Sequence, residues 1–557
     1  MILPVEPDIT NHRFTVSGNR IIINEKRASR TVVRNAGGAA VKPNILFIMS
    51  DDHAAKAISA YGHGLNTTAN IDRLAREGMR LDHCYVTNSI CTPSRASILT
   101  GTYNHVNGVT TLDTHIDNRW PNVAKHLRHG GYQTAMVGKW HLGEGRAHEP
   151  TGFDFWSVLP GQGEYFDPVM IEMGEERKQS GYVTDIIADK CIDWLDARDA
   201  DRPFFLMCHH KAPHRNFEPH PKNRDMFDGK DIKVPATYDD DYANRARAAE
   251  QARMRVRMDL KYADLGLVQP EGGDEVGELC VPGSTERRVP HPQDPRGLVL
   301  IDRHTGQSFT FETEEELALF KYQRYMKRYL ATIHSIDENV GRMLDWLDDN
   351  GLAENTIVIY TSDQGFFLGE HGWFDKRFMY EESLQMPFLV RYPEGIKPGS
   401  VSSDIATNVD FATTFLDYAG LPVPSYMQGS SLRGVFEQST PEGWQEIAYH
   451  RYWMHKDAHH NAWAHYGIRG HRYKLIYWYN SALGQPGALG ADEPPEWELF
   501  DCETDPLELV NVAGDPEYAD VFADMLERLD ARMIAIGDTP EHDSKATLGS
   551  VNGRHPT

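Results

Sequence analysis

The stretch CTPSRASILTG, residues 91–101, determines how the rest of the chain is interpreted. Its pattern predicts a short helix, because Pro93 suits the first turn of a helix and Gly101 suits the position just after its end. Free backbone N–H groups and a partial positive charge at a helix start favour an anion there. We therefore expect Cys91 to be reactive, with Arg95 adding positive charge one turn later. The alternative is a buried structural cysteine near a helix start.

Composition limits the kinds of partner that the protein can bind. The 557 residues, 40% hydrophobic and 25% charged, suffice for a large core and more than one domain. A net charge of -24 argues against nucleic acid or an anionic membrane as the main partner, so local cations must attract an anionic substrate. No apolar run approaches the roughly 20 residues of a membrane span. The N-terminal residues are too acidic for a secretory signal, which predicts a cytoplasmic protein.

Apolar runs alternate with helical stretches along the chain. The runs predict buried parallel strands at Asn44–Ser50, Gln133–Gly138, Pro203–His209 and Thr356–Ser362. Amphipathic stretches predict helices at Asn70–Glu77, Thr184–Asp196 and Tyr322–Asp349. This alternation predicts an α/β fold with a large, mostly parallel sheet flanked by helices.

Changes in composition predict the domain boundaries. Residues 1–42 form an N-terminal extension with one strand, Arg20–Asn24, and residues 43–434 form the main domain. Residues 216–315 interrupt this domain as an insertion, with a helix predicted over Tyr242–Lys261, and we expect a rim over the site or an oligomer contact. Residues 435–540 form a smaller α+β domain with a short antiparallel sheet, and residues 541–557 form a polar tail. The strands and helix predicted in the smaller domain are Tyr473–Tyr477, Trp497–Phe500 and Tyr518–Ile536.

Each of the four apolar runs ends in a polar cluster, where ligands bind in open α/β sheets. Three carboxylates and one amide oxygen suit a hard divalent cation, calcium or magnesium, rather than zinc. These residues are Asp51, Asp52, Asp363 and Gln364. The alternative for one of the first two aspartates is a helix N-cap.

The same clusters supply cations and histidines. Lys139, His141, Lys376 and Lys211 could hold a tetrahedral anion. His141 and His214 are candidates for acid–base work, because histidine changes charge near neutral pH. We expect His53, His209 and His210 to be hydrogen-bonded scaffolding. Taken singly, each cluster could be a solvated strand end, but four clusters together with the Cys91 motif favour a site.

These motifs resemble those of the formylglycine-dependent type I sulfatases, in the alkaline-phosphatase-like superfamily. Residues 91–95 match the sulfatase signature C-x-P-x-R completely, and GKWHLG at 138–143 fully matches the second signature. The resemblance covers roughly residues 43–215 and 316–540. Further matching blocks are Asn44–Asp52, Lys211–His214, Thr361–Gly372, Phe374–Arg377, Met379–Pro393 and Asn408–Leu421. Two departures are Gln364, where many sulfatases have asparagine or histidine, and Ala69, where proline is frequent.

The resemblance implies a catalytic sulfatase domain at 43–434 and assigns roles within it. The nucleophile would be formylglycine, made from Cys91 by a formylglycine-generating enzyme and held by Arg95. One divalent cation is implied, expected to be Ca²⁺ with Mg²⁺ or Mn²⁺ as alternatives. Its ligands would be Asp51, Asp52, Asp363, Gln364 and the modified Cys91. Sulfate binding and proton transfer would fall to Lys139, His141, His214 and Lys376, with Lys211 as a further substrate-binding residue.

The implied activity is hydrolysis of a sulfate monoester, either an aryl sulfate or a sulfated sugar. One alternative is a phosphonate monoester or phosphate diester hydrolase of the same superfamily, because the tetrahedral anions have similar shapes. The other is an unmodified protein that binds sulfated glycans without cleaving them. We also expect a homo-oligomer, a dimer or larger, because added surface such as the insertion commonly forms self-complementary contacts.

Overall fold

The computed structural model describes residues 42–270, 292 and 294–543, together with short strands within 14–35 and 279–288. The chain divides into two compact units, Met1–Pro43 and Asn44–Thr557. The first unit has an antiparallel sheet of three strands, Phe14–Ser17, Arg20–Asn24 and Thr31–Asn35. The strand predicted at Arg20–Asn24 is therefore confirmed.

A ten-stranded sheet is the centre of the second unit. Its strands in chain order are β1 Asn44–Asp51, β2 Met79–Leu81, β3 Gln133–Lys139, β4 Phe155–Leu159, β5 Val169–Glu172, β6 Glu175–Lys178, β7 Phe204–Pro213, β8 Thr356–Ser362, β9 Phe388–Arg391 and β10 Ser400–Ser402. The spatial order is β6-β5-β4-β3-β7-β1-β8-β9-β2-β10. The pairs β3/β4, β3/β7, β7/β1, β1/β8 and β2/β10 are parallel, and the remaining pairs are antiparallel.

The four predicted strands are β1, β3, β7 and β8, and they are adjacent and parallel as expected. Met49, His209, Gly138 and Thr361 lie at one level of the sheet, so the polar residues that follow these strands meet at one edge. Every residue of the four strands is buried. This burial explains their continuous apolar sequences, because helices cover both faces of the sheet.

Eleven α-helices occur among the described residues. They are α1 Ile71–Glu77, α2 Cys91–Thr100, α3 Asn104–Asn107, α4 Val123–His129, α5 Val183–Ala197, α6 Arg247–Gln251, α7 Glu314–Asp349, α8 Glu381–Leu384, α9 Asp410–Tyr418, α10 Arg433–Phe436 and α11 Ala519–Ile536. Helices α1, α5 and α7 pack on one face of the sheet, and α2, α4 and α9 pack on the other. None of the helices that the structure describes is long and apolar enough to cross a membrane.

Helix α7 begins eight residues earlier than its apolar pattern predicts. Its cap is Thr313, whose Oγ1 accepts a hydrogen bond from the Glu316 N–H at 3.2 Å. The first turn is acidic, which suits the positive end of a helix dipole. Seven short 3₁₀ helices are also described: Ala55–Ala57, Ser59–Tyr61, Pro221–Asn223, Ala263–Leu265, Ala353–Asn355, Glu370–Gly372 and Pro516–Tyr518.

Smaller sheets complete the fold. The C-terminal part has four antiparallel strands, β11 Ala448–Tyr452, β12 His465–Arg469, β13 Tyr473–Trp478 and β14 Glu496–Asp501, against which α11 packs. This sheet confirms the fold class expected from the sequence. The remaining short strands are Cys84–Tyr85 with Ala406–Thr407, Phe367–Leu368 with Phe374–Asp375, Leu279–Cys280 with Arg287–Arg288, and the trio Leu267–Val268, Leu300–Asp302 and Ser308–Phe309.

The helix predicted over Tyr242–Lys261 is wrong, because only Arg247–Gln251 is helical. The residues after this short helix leave it to pair with the segment that precedes Lys376. Phe374 donates its N–H to the Met254 carbonyl at 2.7 Å, and Val256 donates to the Gly372 carbonyl at 2.8 Å. Tertiary hydrogen bonds thus override a helical composition. The Gly/Pro-rich stretch at 269–295 and the tail lie largely outside the described residues.

A buried ion pair also attaches the insertion to this segment. His371 Nδ1 lies 2.9 Å from Asp240 Oδ2, and Arg245 contacts Asp240 Oδ1. The Tyr242 hydroxyl donates to the His371 carbonyl at 2.7 Å. Burial alone would raise the pKa of Asp240, but the hydrogen bond with His371 and the charge of Arg245 lower it to about 2.

Asp240→Asn is expected to destabilise the protein at neutral pH by about 1 kcal/mol, less than the full equivalent of this pKa shift because solvent screens part of the interaction. A depressed native pKa stabilises the fold above the unfolded value of 3.8, and this contribution is lost as pH falls toward about 2. The thermal unfolding midpoint of the variant should therefore lie below that of the wild type at pH 7, with a difference that narrows below about pH 4. Asp239→Asn, at a neighbour 77% exposed, is the control. Equal midpoints for Asp240→Asn and wild type at pH 7 would contradict the prediction.

Candidate active site

Cys91 is the first residue of α2, and the helix predicted at this place is confirmed. Ile90 is its N-cap in an extended conformation, and Gly101 ends the helix with a left-handed φ of 67°. The Cys91 side chain is only 2% exposed and borders a cavity of about 560 Å³. The helix start thus presents Cys91 to the edge of the sheet where β1, β3, β7 and β8 end.

The thiol of Cys91 is not activated by the helix start. Burial and the charge of Asp51 raise its pKa to about 12, although Lys376 and Lys139 lower it. This pKa does not favour a thiolate in the unmodified side chain, and the expected reactivity of Cys91 stays a prediction. Arg95 points to a carboxylate instead: its Nε and Nη2 lie 3.0 and 2.9 Å from Asp363 Oδ2.

Three predicted carboxylates meet beneath Cys91. Asp51, Asp52 and Asp363 are fully buried, and one ligand oxygen from each lies within 4.8 Å of the others. The Asp52 N–H donates to Asp363 Oδ1 at 3.2 Å. Burial and repulsion from Asp51 raise the pKa of Asp52 to about 6, against the charge of Lys376, and raise the pKa of Asp363 to about 7. Such a group needs compensating positive charge.

Two lysines supply part of this charge. Lys139 Nζ donates to Asp51 Oδ2 and, at 2.5 Å, to Gln162 Oε1. Lys376 Nζ donates to Asp52 Oδ2 at 2.7 Å. Both lysines are buried, and Lys376 borders the cavity. Lys376 therefore lies between Asp52 and the cavity, and Lys139 neutralises Asp51 from a fully buried position.

The donor set fits a hard divalent cation. Asp51 Oδ1 and Gln364 Oε1 are buried oxygens without a hydrogen-bond partner among the described residues. Gln364 Nε2 lies 2.5 Å from Asp52 Oδ1 and 3.9 Å from Cys91 Sγ. Rotating the side-chain amide by 180° would exchange its nitrogen and oxygen and so place Oε1 between Asp52 and Cys91. The site thus offers oxygen ligands from three carboxylates and one amide, and two of these oxygens have no hydrogen-bond partner within the ranges described. Calcium and magnesium prefer such ligands. Asp51, Cys91 and His214 also lie close enough to share an ion.

The two candidate histidines border different cavities near the start of α2. His214 borders the 560 Å³ cavity, with Nδ1 2.7 Å from the Arg215 carbonyl and Nε2 3.7 Å from Asp52 Oδ2. A carbonyl only accepts, so Nδ1 carries a proton and Nε2 is the exchangeable position. His141 borders a neighbouring cavity of about 370 Å³, with Nδ1 3.2 Å from Thr92 Oγ1. Burial lowers the pKa of both histidines.

Lys211 also borders the larger cavity. Its Nζ lies 4.7 Å from the centre of the Tyr165 ring, a cation–π contact, and 3.5 Å from the Arg215 carbonyl. Burial and the charge of Lys139 lower its pKa to about 8. Lys211 therefore lies where an anionic substrate would reach it.

The backbone of the site is strained at several residues other than glycine. Asp52, His141, Asp375 and Arg377 have φ values of 68°, 54°, 76° and 101°. Left-handed conformations at such residues cost free energy and cluster at functional sites. These four residues follow β1 and β3 or flank Lys376, so the strain coincides with the candidate site.

The histidines expected to be scaffolding are hydrogen-bonded. His53 Nδ1 lies 2.6 Å from the Tyr360 hydroxyl, and His209 Nδ1 lies 3.3 Å from the Lys139 carbonyl. His210 Nε2 lies 3.7 Å from Cys208 Sγ.

Sequence reasoning missed several residues of the cavity. Arg215 pairs with Asp375 at 3.2 Å and lies 2.9 Å from His460 Nε2. Arg215 directly follows His214, and Asp375 precedes Lys376, so proximity to a predicted residue could have found both. No local pattern marks Gln162 or His460. Insertion residues form part of the wall: Glu218, Lys261, Asp264, Arg303 and His304.

A mostly parallel sheet that gathers carboxylates, cations and a helix start at one edge defines a hydrolase of the alkaline-phosphatase-like class. A sequence model of the sulfatase family matches residues 43–421. The chain belongs to the sulfatase family and is a sulfuric ester hydrolase. A second model, N-sulphoglucosamine sulphohydrolase, C-terminal, matches residues 369–534.

Individual relatives agree with this assignment. The N-acetylglucosamine-6-O-sulfatase of Bacteroides thetaiotaomicron is 43% identical over 516 residues, covering 91% of this chain and 89% of the relative. A solved structure of a protein in complex with its substrate D-glucosamine-2-N,6-O-disulfate is 41% identical, with a TM-score of 0.78, and covers 91% of this chain and 100% of that one. The phosphonate monoester hydrolase of Agrobacterium radiobacter, 22% identical with a TM-score of 0.62 over 88% of this chain and 96% of its own, shares the fold.

Proposed function

We propose that this sulfatase removes a sulfate ester from a sulfated sugar, with a 6-O-sulfated glucosamine derivative as the favoured substrate. The observation that carries the proposal is Cys91 at a helix start beside a 560 Å³ cavity, close to the buried carboxylates and on the same cavity as Lys376. The sugar is argued from the relative at 43% identity and from the disulfated glucosamine in the related complex. An aryl sulfate is the alternative substrate.

The proposed nucleophile is formylglycine, made from Cys91 by a formylglycine-generating enzyme. This modification would supply an aldehyde hydrate, with one hydroxyl to attack sulfur and a second to release sulfate afterwards. The ordinary thiol is a poor nucleophile here, because burial raises its pKa to about 12. Arg95 holds Asp363 beneath the nucleophile and so fixes the carboxylates.

The residues around Cys91 are proposed to bind the sulfate group and to transfer protons. Lys139 and Lys376 would bind the sulfuryl oxygens and neutralise their charge as the ester bond breaks. His214 would take the proton of the attacking hydroxyl on Nε2 and pass it to the leaving alcohol, because its Nδ1 is held by the Arg215 carbonyl. His141 would take the proton from the second hydroxyl, and Lys211 would hold the substrate from the cavity side.

A divalent cation completes the proposed site. Asp51, Asp52, Asp363 and Gln364 would hold it together with the modified Cys91, and calcium is proposed, with Mg²⁺ or Mn²⁺ as alternatives. When bound, the cation would supply Lewis acidity at the nucleophile. The insertion is proposed as a rim, since several of its residues border the cavity. A homo-oligomer and a cytoplasmic location stay predictions from the sequence.

A substrate panel tests the proposed activity. We expect kcat/KM for N-acetylglucosamine-6-O-sulfate to exceed that for 4-nitrophenyl sulfate by about 10²-fold, because a built pocket gains from hydrogen bonds to sugar hydroxyls. A phenyl phosphonate monoester should react more slowly than either sulfate. Released sulfate, measured by ion chromatography, is the readout, and the Cys91→Ala protein from the same preparation is the control.

Other outcomes would favour the alternatives. A faster reaction with the phosphonate ester than with any sulfate would contradict the proposal and favour a phosphonate or phosphate diester hydrolase. Binding of sulfated sugars without turnover, by protein whose Cys91 remains a thiol in its native host, would favour a glycan-binding protein.

A further inference from the structure

The wall of the larger cavity carries more positive charge than the catalytic groups explain. Six lysine or arginine side chains line it against three carboxylates, although the whole chain has a net charge of -24. Lys376 acts electrostatically on Cys91, and Lys211 lines the same cavity. Arg303 and Lys261 come from the insertion. Low-dielectric walls with one sign of charge concentrate ligands of the opposite sign.

Arg303 is held in place by the turn that precedes Gly266. Its backbone N–H donates to the Gly266 carbonyl at 3.0 Å, and its Nη2 donates to the Ala263 carbonyl at 2.7 Å. The turn itself packs tightly on Arg328, since a Cβ at Gly266 would lie 2.7 Å from the Arg328 guanidinium carbon. Arg303 is therefore positioned before any ligand arrives, which reduces the entropy cost of binding.

A single carboxylate, that of Glu218, contacts Arg303 and the positively charged side chain beside it. Glu218 Oε1 lies 2.9 Å from Arg303 Nη2, and Glu218 Oε2 lies 2.7 Å from Arg328 Nη2. His304 Nε2 lies 2.9 Å from the same Oε2. Two guanidinium groups share a single negative charge, so the cluster keeps a net positive charge.

The other two carboxylates of the cavity lie near cations of their own. Burial lowers the pKa of Arg215, but the charges of Asp375 and Asp264 raise it above its usual value. Burial likewise lowers the pKa of Lys211, against the charge of Glu164. Six lysine or arginine side chains against three carboxylates still leave an excess of positive charge on the cavity wall. The Arg303 side chain is 35% exposed, so its guanidinium can reach a ligand in the cavity.

We propose that Arg303, with Lys261 and His304 beside it, binds a second anionic group of the substrate while the reacting sulfate ester lies at Cys91. The inference rests on the proposed function and narrows it to sugars that carry two anions. The second anion is a sulfate or a carboxylate, on the same sugar or the next. A cavity of about 560 Å³ is within the usual size of ligand pockets and leaves room for this second group.

The test compares three substrates in the whole enzyme. They are N-acetylglucosamine-6-O-sulfate, glucosamine-2-N,6-O-disulfate, and a disaccharide in which a uronic acid is linked to 6-O-sulfated N-acetylglucosamine. Wild type should have a higher kcat/KM for one or both of the doubly anionic substrates than for the singly charged one. The substrate that is preferred identifies the second anion as a sulfate or a carboxylate. This preference should weaken as the salt concentration rises, because dissolved ions screen the charge of the partly exposed Arg303 side chain.

Arg303→Gln should reduce kcat/KM for the preferred doubly anionic substrate about tenfold more than for the singly charged one, the value of one charge-assisted hydrogen bond. The loss should appear in KM rather than in kcat. Arg303→Lys keeps the charge and should restore part of the preference. Arg296→Gln is the matched control, because Arg296 is an exposed arginine of the same segment that binds Asp294.

An unchanged substrate ratio in Arg303→Gln, or no preference in wild type, would overturn the inference while leaving sugar-sulfate hydrolysis intact. If wild type hydrolyses none of the three sugars, the proposed substrate fails, and binding decides the inference separately. Calorimetry on Cys91→Ala protein would then compare the disulfated sugar with and without Arg303→Gln. About tenfold weaker binding supports the second subsite, and equal binding overturns it.

Discussion

Cys91→Ala is expected to abolish turnover, with a loss in kcat on the order of 10⁶-fold, as when the nucleophile of a hydrolase is removed. The reason is geometric: Cys91 begins α2 at the cavity, and among the described residues that line this cavity it is the one cysteine, with no serine or threonine. The same substitution leaves the carboxylates in place, so the variant should fold and should still bind substrate.

Mass spectrometry of the active wild type provides the second measurement. The peptide that contains residue 91 should carry the mass of formylglycine in place of cysteine. Cys502→Ala is the control, because this thiol lies in the C-terminal part, outside the cavity lining, and its loss should leave kcat unchanged. Active enzyme with only unmodified cysteine at position 91 would sink the prediction.

Asp51→Asn is expected to lower kcat/KM by roughly 10³-fold and to remove the bound cation, because charge stabilisation at the reacting centre depends on it. Asp51 Oδ1 is a buried oxygen with no hydrogen-bond partner in the described part of the chain, and asparagine keeps the shape while losing the charge. Elemental analysis should give about one calcium per wild-type chain and almost none in the variant.

Chelation and re-addition provide the control for this effect. Wild type treated with a chelator should lose activity, and its thermal midpoint should fall, because a ligand that binds only the native state stabilises it. Adding Ca²⁺, Mg²⁺ or Mn²⁺ separately should identify the ion that restores both properties. An active enzyme free of metal and indifferent to chelators would rule the cation out.

Local patterns predicted the elements that carry the site. Buried parallel strands have continuous apolar sequences, so β1, β3, β7 and β8 were visible, and the polar residues at their ends could be placed at one edge. The signature around Cys91 predicted its helix correctly. These features depend on neighbours in sequence, which is the information that a single chain provides.

The residues that could not be predicted depend on distant contacts. Gln162, Arg215, His460 and Arg303 reach the cavity only because separate segments fold together around it. For the same reason the local helix start does not indicate the raised pKa of the Cys91 thiol, which burial and the charge of Asp51 cause. The helix expected over Tyr242–Lys261 gave way to hydrogen bonds with residues more than a hundred positions later.

The insertion pairs with the segment before Lys376, so the two segments are structurally coupled. Arg255 pairs with Trp373, and the hydrogen bonds of Met254 and Val256 flank that pair. Replacing the insertion with that of another sulfatase would therefore disturb Lys376, the proposed sulfate ligand, even though the junctions lie far from it in sequence. A chimera designed to transfer the substrate preference of a relative must therefore replace residues 369–377 together with the insertion.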